Sequence, residues 1–360
     1  MKRGGETTAK VRAPAALIIA GGQGTRFWPL SRSNRPKPLL SMDGRRTLLG
    51  ETIARLQPLI PRDRIFVIAA AQRAVQFRRA LRGVIPARNL ILEPQGRGTA
   101  VAIAYGIGVI EARIGPGVVA VMPSDHYVSP AGEFRRTLRQ AIKIAGRHAA
   151  IVMIGIRPTR AEPGYGYQQI GSAVDDGAYE VEAFVEKPAP ARAAEMVRGG
   201  GFLWNAGMFI MRTPMLAAEI AKNCPRLEPA MRELPSLRGA KLAAAYNDLN
   251  FDSFDREIVE KSGRVISVQA DFRWHDVGSW QGLWEALKDR SGNVLTGPVV
   301  MIDSEAVVAR AGDRPMVLLG MKDVVAIDAG DAILIAQRSH SQELRRVVDE
   351  LRGRGLQRLL

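Results

Sequence analysis

The sequence predicts an α/β protein with a Rossmann-like, doubly wound and mostly parallel sheet, followed by a small C-terminal all-β module. Short apolar runs alternate with helical segments through the first half of the chain, which is typical of βαβ units. Beyond about residue 290, short apolar stretches recur about every eight to ten residues between Gly and Asp turns. The first pattern predicts the sheet and the second predicts the module.

The elements of the predicted sheet follow one another in order. The apolar strands are expected at residues 17–19, 65–69, 89–92, 118–122, 151–156 and 265–268, and the helices at 47–56, 72–82, 99–113, 135–147, 215–224 and 254–262. In such sheets ligands bind at the carboxyl ends of the strands. We therefore expect the functional residues directly after strands.

The C-terminal module is predicted from five apolar stretches, at residues 299–302, 306–309, 316–319, 324–327 and 332–335, and from an amphipathic helix at 341–351. The predicted division is a disordered basic arm (1–13), a large α/β domain (14–290) and a small β-helix-like domain ending in a helix (291–360). A β-helix-like domain with so few turns leaves sheet edges unpaired, and a partner subunit could cover them. We expect a homodimer.

Composition narrows the classes of function. A chain of 360 residues exceeds what one core usually holds. The formal net charge of +15 comes from 51 Lys and Arg against 36 Asp and Glu. The basic residues are scattered over helical segments without interleaved aromatic residues, which favours small anionic substrates over nucleic acid. The lone Cys224, the absence of an apolar signal core and the lack of a membrane-length apolar run predict a cytoplasmic protein without membrane association.

A glycine loop follows the first strand. Gly21, Gly22 and Gly24 let the backbone turn tightly, and the exposed N–H groups suit phosphate oxygens. The loop matches neither the dinucleotide fingerprint nor a Walker loop. Instead, Thr25-Arg26 follows directly and Pro36-Lys37 comes later. Arg26 and Lys37 can hold a triphosphate and neutralise charge that shifts during phosphoryl or nucleotidyl transfer; a glycine turn with a solvated Arg is the alternative.

Two carboxylates follow apolar strands about 150 residues apart. Asp125 lies in Met-Pro-Ser124-Asp-His126, and Asp276 in Trp-His-Asp-Val-Gly-Ser. Together they suit Mg²⁺, which takes one or two protein carboxylates and leaves other positions to phosphate and water. Each could instead be a helix N-cap. His126 is interpreted as a structural or supporting residue, because a single imidazole is a poor Mg²⁺ ligand.

A second glycine-containing loop spans residues 93–99. Glu93 could accept hydrogen bonds from a base edge that carries N–H donors, as guanine does. Arg97 and Thr99 complete the candidate loop at the start of a helix. A purely structural turn with Thr99 as the N-cap explains the same residues.

The middle of the chain is interpreted as the half that binds a sugar. The turn Gly164-Tyr165-Gly166-Tyr167 lets backbone approach a flat ligand face, and Asn205 next to Trp204 suits hydroxyl groups. Glu186 and Lys187 end a predicted strand, where neighbours alternate sides, so we expect them not to be merely each other's ion pair. Surface salt-bridge residues are the alternative.

These motifs resemble a known family. Gly-x-Gly-Thr-Arg-x-x-Pro at residues 22–29, with Pro36-Lys37, resembles the signature of sugar-nucleotide pyrophosphorylases. Phe-Trp-Pro-Leu-Ser-Arg at 27–32 resembles the mannose-1-phosphate guanylyltransferase branch. The resemblance runs from roughly residue 14 to residue 351 with the motifs in the expected order. It implies a nucleotidyltransferase-type sheet with a left-handed β-helix-like module.

The resemblance also implies a reaction, in which GTP and mannose 1-phosphate give GDP-mannose and pyrophosphate with Mg²⁺ as cofactor. By resemblance Lys187 holds the sugar phosphate, Glu186 and Asn205 the sugar hydroxyls, and loop 93–99 the guanine. The expected catalytic residues are Arg26, Lys37, Asp125, Lys187 and Asp276, with Asp125 and Asp276 as metal ligands. The expected substrate-binding residues are Gly21, Gly22, Gly24, Thr25, Glu93, Arg97, Thr99, Ser124, Gly166, Tyr167, Glu186 and Asn205.

Loop 93–99 departs from the family pattern. The usual Arg-Asn-Thr-Ala-Pro has Gly98 in place of Asn and Val101 in place of Pro, which leaves the choice of base open. Three rival functions therefore remain: a nucleotidyltransferase for another base or sugar, a non-catalytic GDP-mannose-binding regulatory subunit, and a nucleic-acid binder suggested by charge alone. Retention of Arg26, Lys37, Asp125 and Asp276 speaks against the regulatory subunit.

Overall fold

A computed structural model describes residues 13–22 and 24–360 of the chain. The predicted disordered arm lies outside the described residues except for Ala13, and so does Gln23 of the glycine loop. No helix in the described ranges is long and apolar enough to cross a membrane.

The described residues form 17 strands and 10 α-helices. The strands are β1 Ala15–Ile19, β2 Ile65–Ala70, β3 Leu90–Glu93, β4 Val118–Pro123, β5 Tyr127–Ser129, β6 Ile151–Ile156, β7 Tyr167–Asp175, β8 Ala178–Val185, β9 Phe202–Arg212, β10 Val265–Gln269, β11 Arg273–His275, β12 Val294–Thr296, β13 Val299–Ile302, β14 Val308–Arg310, β15 Met316–Leu319, β16 Val324–Asp328 and β17 Ile333–Gln337. The helices are α1 Leu48–Leu56, α2 Ala74–Leu81, α3 Thr99–Ile114, α4 Ala131–Arg147, α5 Pro190–Gly199, α6 Thr213–Asn223, α7 Glu228–Arg232, α8 Gly239–Asn247, α9 Trp280–Leu287 and α10 Leu344–Gly353.

The main sheet has the strand order β3-β2-β1-β4-β9-β6-β10-β8-β7. Strands β1 to β4 pair in parallel, as do β6 and β10. Strand β9 lies antiparallel between β4 and β6, and β8 runs antiparallel to β10. The predicted doubly wound, mostly parallel sheet is confirmed. The inserted β9 and the strand β7 are additions that the apolar pattern did not predict, whereas β8 corresponds to the strand predicted to end at Glu186 and Lys187.

Hydrophobic layers cover both faces of this sheet. Alternate residues of β1 face opposite ways, as the period of a strand requires. Leu17 belongs to a buried cluster with α3, α6 and α7, whereas Ile18 belongs to the cluster with α1, α2 and α4. The apolar β1 is therefore buried on both faces, and its carboxyl end opens onto the glycine loop.

Several predicted helices differ from the observed ones. The helix predicted at 135–147 begins earlier, at Ala131, and the one predicted at 341–351 begins at Leu344 after a 3₁₀ segment. The segment predicted as a helix at 254–262 contains a π-helical turn, Asp255–Val259, and such turns occur frequently at functional sites. The helix predicted at 72–82 begins only at Ala74, because a 3₁₀ turn, Ala71–Arg73, precedes it.

The C-terminal module stacks short strands in parallel. Strand β14 pairs with β12 and β16, and β13 pairs with β15, whereas β17 closes the stack antiparallel to β16. One hydrophobic cluster joins the module to the catalytic part, with Val325 and Leu344 against Phe27 and Trp280. The module is therefore fastened next to the residues that follow the glycine loop.

Candidate active site

The glycine loop borders a cleft of about 570 Å³, here called the glycine-loop cleft. Its lining residues are Gly21, Gly22, Gly24, Thr25, Arg26, Lys37, Asp125, Gly278, Arg345, Val348, Asp349 and Arg352. Gly24 has φ = 67°, and a Cβ there would come within 2.6 Å of Lys37 Cβ. Glycine at this position therefore lets the loop pack directly against Lys37.

Lys37 joins the two predicted metal ligands. Its Nζ lies 2.7 Å from Asp125 Oδ2 and donates a hydrogen bond to the backbone oxygen of Asp276 at 3.2 Å. Lys37 is 8% exposed and lies beside the Phe27 ring. An ammonium held between two functional segments and shielded from water acts more strongly on nearby phosphate than a surface lysine would.

A small two-stranded sheet brings the two carboxylates together. Strand β5 begins two residues after Asp125, and β11 ends one residue before Asp276. The two strands pair antiparallel, with Tyr127 opposite His275. Neither Asp is an N-cap: Asp125 precedes a strand, and Ser279 caps α9 by accepting a hydrogen bond from Gly282 N.

Asp276 is held ionised by its neighbours. Its Oδ1 accepts a hydrogen bond from Tyr165 Oη at 2.9 Å and lies 3.2 Å from His275 Nδ1. Burial alone would raise the pKa of Asp276, but the hydrogen bond with His275 and the charge of Lys37 outweigh it and hold that pKa far below its usual value. The carboxylate is therefore charged at neutral pH.

The pKa values of the two histidines of this region shift in opposite directions. Burial lowers the pKa of His126 to about 4, and its Nδ1 accepts a hydrogen bond from Trp274 Nε1 at 3.1 Å. Burial would also lower the pKa of His275, but hydrogen bonds with Asp276 and Glu285 outweigh it and raise that pKa. His126 is thus neutral and supports the site, as interpreted from the sequence.

A second cleft of about 620 Å³ lies on the other side of Arg26 and is here called the acidic cleft. Gly166, Glu186, Lys187 and Asn205 all line it, so the structure brings these predicted sugar residues together. Asp255 and Asp276 also border it. Asn205 Nδ2 donates a hydrogen bond to Asp255 Oδ1 at 2.7 Å, and Asn205 Oδ1 accepts one from Gly207 N.

The two clefts meet at Arg26 and Gly278, which line both. Asp125 borders the glycine-loop cleft and Asp276 the acidic cleft, while Lys37 contacts both residues. A phosphate bound in one cleft would therefore meet a phosphate bound in the other at this junction. The arrangement suits transfer of a phosphorus centre between two anionic ligands.

Comparison with known proteins agrees with this geometry. The profile of the nucleotidyl transferase family matches residues 15–292, and a profile named MannoseP isomerase/GMP-like beta-helix domain matches residues 297–351. The chain belongs to the nucleotidyl transferase family.

Several named proteins are similar to this nucleotidyl transferase over most of its length. The xanthan biosynthesis protein XanB of Xanthomonas campestris pv. campestris is 33% identical, over 94% of this chain and 73% of that protein. The mannose-1-phosphate guanylyltransferase of Escherichia coli is also 33% identical, over 93% of this chain and 73% of that protein. The crystal structure of a mannose-1-phosphate geranyltransferase from Thermus thermophilus superposes with a TM-score of 0.86 at 34% identity and covers 95% of this chain and all of that one.

The expected alternation of sides at Glu186 and Lys187 is wrong, whereas their roles toward the sugar phosphate stay predictions. Lys187 Nζ lies 2.6 Å from Glu186 Oε1, so the two side chains do form an ion pair. The expected alternation fails because β8 ends at Val185 and Lys187 has a positive φ of 49°, which turns its side chain back. A ligand phosphate could compete with Glu186 for this ammonium, because Lys187 is exposed.

Tyr167 was the wrong tyrosine to predict for ligand contact. It is fully buried, and its hydroxyl bonds to the backbone of Glu162. Tyr165 lines the acidic cleft instead and donates to Asp276. The two tyrosines differ because β7 starts at Tyr167 and directs it into the core.

Loop 93–99 packs against the segment around residues 246–254. Glu93 is 6% exposed and its Oε2 accepts a hydrogen bond from Tyr246 Oη at 2.7 Å, while burial raises the pKa of Glu93. In this structure Glu93 therefore already has a protein hydrogen-bond donor. Thr99 is not the N-cap of α3, since Gly98 occupies that position and Thr99 Oγ1 accepts from Phe254 N.

Three more predicted binding residues stay away from both clefts in the described part of the chain: Arg97, Thr99 and Ser124. Ser124 is fully buried at the end of β4, where its backbone N donates to Ile19 O. Base recognition by Glu93, Arg97 or Thr99, and substrate binding by Ser124, remain predictions.

Sequence reasoning missed several residues that line the site. Tyr165, Asp255, His275 and Glu285 all border the acidic cleft. His275 and Tyr165 were adjacent to predicted residues, which was a usable signal. Asp255 had no signal, because it lies in a segment predicted as an ordinary helix. Burial, followed by the charge of Glu186, raises the pKa of Asp255 to about 6.

Nucleotidyl transferases of this family generally use a divalent metal ion. The residues at the junction fit such an ion. Asp125 uses Oδ2 for Lys37, and Asp276 uses Oδ1 for Tyr165 and His275. Within the described residues each carboxylate therefore keeps its other oxygen for an ion that also takes phosphate and water ligands.

Proposed function

We propose that this nucleotidyl transferase is a mannose-1-phosphate guanylyltransferase, which converts GTP and mannose 1-phosphate into GDP-mannose and pyrophosphate. The observation that carries the proposal is that the glycine-loop cleft and the acidic cleft meet at Arg26 and Gly278, with Asp125 bordering the first cleft and Asp276 the second. The names of the relatives at 33% identity supply the sugar and the base.

The reaction follows from which cleft holds which ligand. GTP binds with its triphosphate along the glycine loop, and mannose 1-phosphate binds in the acidic cleft. A sugar phosphate oxygen attacks the α-phosphorus in line while the bond to the β-phosphate oxygen breaks and pyrophosphate leaves with the electron pair. No general base is needed, because a phosphate monoester is already ionised at neutral pH.

The chain's own residues orient the reacting groups and stabilise their charge. Arg26 and Lys37 neutralise the triphosphate and its departure, and Lys187 orients the attacking phosphate. Asp125 and Asp276 would hold Mg²⁺, which supplies Lewis-acid polarisation of phosphate oxygens. Tyr165 and His275 fix the carboxylate of Asp276 for that role.

The acidic cleft offers several acceptors for sugar hydroxyls. Glu186 is available when a phosphate draws Lys187 away, and Asp255 has one oxygen beyond its bond with Asn205. Carboxylates accept hydrogen bonds from hydroxyls and discriminate their positions. This supports a hexose phosphate as the ligand of the acidic cleft.

The backbone geometry at position 98 explains why this chain has glycine there in place of the asparagine of the family pattern. Gly98 has φ = 87°, and a Cβ there would lie 2.7 Å from Phe251 O and 2.9 Å from Asp252 O. An asparagine at position 98 would therefore be strained whatever it contacted. Base selectivity must come from groups other than a side chain at this position.

The test is pyrophosphate release measured over a matrix of nucleoside triphosphates and sugar 1-phosphates. We expect the highest kcat/KM for GTP with mannose 1-phosphate and strict dependence on a divalent ion. A preference for dTTP or UTP, or for a different sugar, would replace the proposed substrates with others of the same class. Tight GDP-mannose binding without turnover of any pair would indicate a regulatory subunit, and salt-sensitive binding of arbitrary duplex would indicate a nucleic-acid binder.

We also propose that the chain forms a homodimer through its C-terminal module. Strands β13 and β15 expose one apolar face, in which Val300 lies opposite Val317 and Ile302 opposite Leu319. These four residues are 48–62% exposed, and neither strand carries a charged residue. Both copies carry a net charge of +15, so contact between two basic surfaces is disfavoured, and an uncharged apolar face is the more favourable place for a second copy. A second copy of the same face is therefore the occupant we propose.

The double variant Val317→Glu, Leu319→Glu should be monomeric, because two buried charges per subunit would oppose association. Light scattering coupled to size-exclusion chromatography measures the mass. Val75→Glu is the matched control, since Val75 is 74% exposed on α2, far from the module in sequence, and should leave the mass unchanged. A monomeric wild type, or a dimeric double variant, would contradict the proposal.

Asp255→Asn should stabilise the fold at neutral pH. The pKa of Asp255 is raised from 3.8 to about 6, first by burial and then by Glu186. Between these pH values the native state binds more protons than the unfolded state, so stability falls as pH rises from about 4 to about 6, by at most about 3 kcal/mol. Asparagine is never charged and can still accept from Asn205. Urea unfolding of both proteins from pH 4 to pH 7 should give a difference in free energy of unfolding that grows with pH, and a constant difference would contradict the assignment.

A further inference from the structure

Four residues of the C-terminal helix α10 border the glycine-loop cleft. Arg345, Val348, Asp349 and Arg352 line it together with the glycine loop. Their spacing of three or four residues places them on one helix face. Within the described residues, the catalytic sheet therefore does not enclose this cleft alone, and the C-terminal module supplies part of its wall.

Helix α10 is anchored to the active site. Leu344 and Val348 are buried in the cluster that contains Phe27 and Trp280. Gln342, just before the helix, accepts a hydrogen bond from Arg26 Nη1 at 2.7 Å and donates one to Ser279 Oγ at 3.2 Å. These contacts tie the helix to Arg26, which borders both clefts, and to the cap of α9, which follows Asp276.

The structure of α10 itself does not explain Arg345. This residue is in the first turn of the helix, where the helix dipole disfavours a cation. The described part of the chain gives its guanidinium no carboxylate partner, whereas the adjacent Arg346 pairs with Glu343. A cation that breaks a local rule and borders a cleft is expected to serve a ligand.

Arg352 reaches the same cleft two turns further along α10. Its Nη1 donates to Asp349 Oδ1 at 2.8 Å, which keeps the guanidinium at the cleft wall. With Arg26 and Lys37, the cleft lining carries four cations against the carboxylates of Asp125 and Asp349. This excess suits a ligand with several negative charges, and arginine forks match phosphate oxygens in geometry.

We propose that Arg345 and Arg352 bind the β- and γ-phosphates of the nucleoside triphosphate and the pyrophosphate that they become. The inference rests on the proposed function and adds the C-terminal module to the active site. When the bond between the α-phosphorus and the bridging oxygen breaks, the electron pair stays on pyrophosphate, and the two guanidinium groups meet that charge. The sugar phosphate is not their ligand, because Lys187 and the acidic cleft lie beyond Arg26.

The test uses the full chain and the variants Arg345→Gln, Arg352→Gln and their combination. Arg346→Gln is the matched control, because Arg346 is on the same helix, its side chain is 82% exposed, and it pairs with Glu343 outside the cleft. Calorimetry with inorganic pyrophosphate measures binding directly. We expect each single variant to bind roughly tenfold more weakly, as loss of a charge-assisted contact predicts, and Arg346→Gln to bind within about twofold of wild type.

Kinetics separate this proposal from a merely structural role. The KM for GTP should rise in the Arg345 and Arg352 variants while the KM for mannose 1-phosphate stays constant, and Arg345→Lys should recover part of the loss. Thermal unfolding should be unchanged, because both arginines are exposed. Equal damage to both KM values, or pyrophosphate binding as tight as in wild type, would overturn the inference and leave the proposed function intact. A different outcome is a wild type that turns over no substrate pair, with variants that still bind pyrophosphate more weakly than it does. That result would support the inference and refute the proposed function.

Discussion

Replacing either junction carboxylate, as in Asp125→Asn or Asp276→Asn, should reduce kcat on the order of a thousandfold, because several kcal/mol of transition-state stabilisation would be lost with a metal ligand. The double variant should be scarcely worse than either single one, since both residues would hold one ion. Steady-state pyrophosphate release, with Mg²⁺ varied, measures the effect. If the losses of kcat in the two single variants multiplied in the double variant, the two carboxylates would not share one ion.

The two variants should differ in stability although their kinetics agree. Asp125→Asn leaves the ammonium of Lys37, which is mostly shielded from water, without its carboxylate, and an unsatisfied buried group costs about 1–3 kcal/mol. Asp276→Asn leaves Lys37 bonded to the backbone of residue 276, but it removes a charge that His275 and Lys37 stabilise, as the lowered pKa of Asp276 shows, and should cost more. Asp63→Asn is the control, because Asp63 is exposed in a turn and lines neither cleft. It should change neither kcat nor the melting temperature.

The sequence predicted those parts of the site that each lie in one short segment. The glycine loop with Arg26, and Asp125 after β4, are predicted from local pattern alone, since an apolar strand followed by polar residues identifies a strand end. Asn205 was predicted only from its amide next to the aromatic Trp204, because it lies inside β9. The same logic correctly predicted the sheet, because the βαβ alternation is a repeated local signal. Lys37 was predicted from Pro-Lys, but its contact with both Asp125 and Asp276 was not.

The contacts that sequence reasoning missed depend on pairings between distant segments. Strands β5 and β11, which pair Tyr127 with His275, have three residues each, and strands this short show no periodicity that a sequence pattern could register. The bond between Glu93 and Tyr246 and the contact of α10 with the glycine-loop cleft also join segments far apart in the chain. The assumption that side chains alternate between the two faces of β8 gave a wrong direction for Lys187, because a residue with positive φ changes the direction of its side chain.

Lys37→Met should lower kcat on the order of a hundredfold or more, with a smaller change in the KM for GTP, because the lost charge acts mainly on the departing pyrophosphate. Methionine keeps the length and apolar packing of the side chain next to Phe27 but removes the contacts with Asp125 and Asp276. Because Asp125 then lacks its cation, its carboxylate should hold a divalent ion at least as tightly as in wild type. Saturating Mg²⁺ should consequently fail to rescue kcat.

The control for Lys37 is Lys143→Met, on the exposed face of α4, which removes the same charge from the chain without touching either cleft. It should leave kcat within about twofold of wild type, as expected for a screened surface charge. If Lys37→Met instead kept a near-normal kcat and raised the KM for GTP alone, Lys37 would serve substrate binding and not the transition state. Recovery of kcat at high Mg²⁺ would mean that Lys37 acts only by ordering Asp125 and Asp276, and the departing pyrophosphate would then depend on Arg26 and on the arginines of α10.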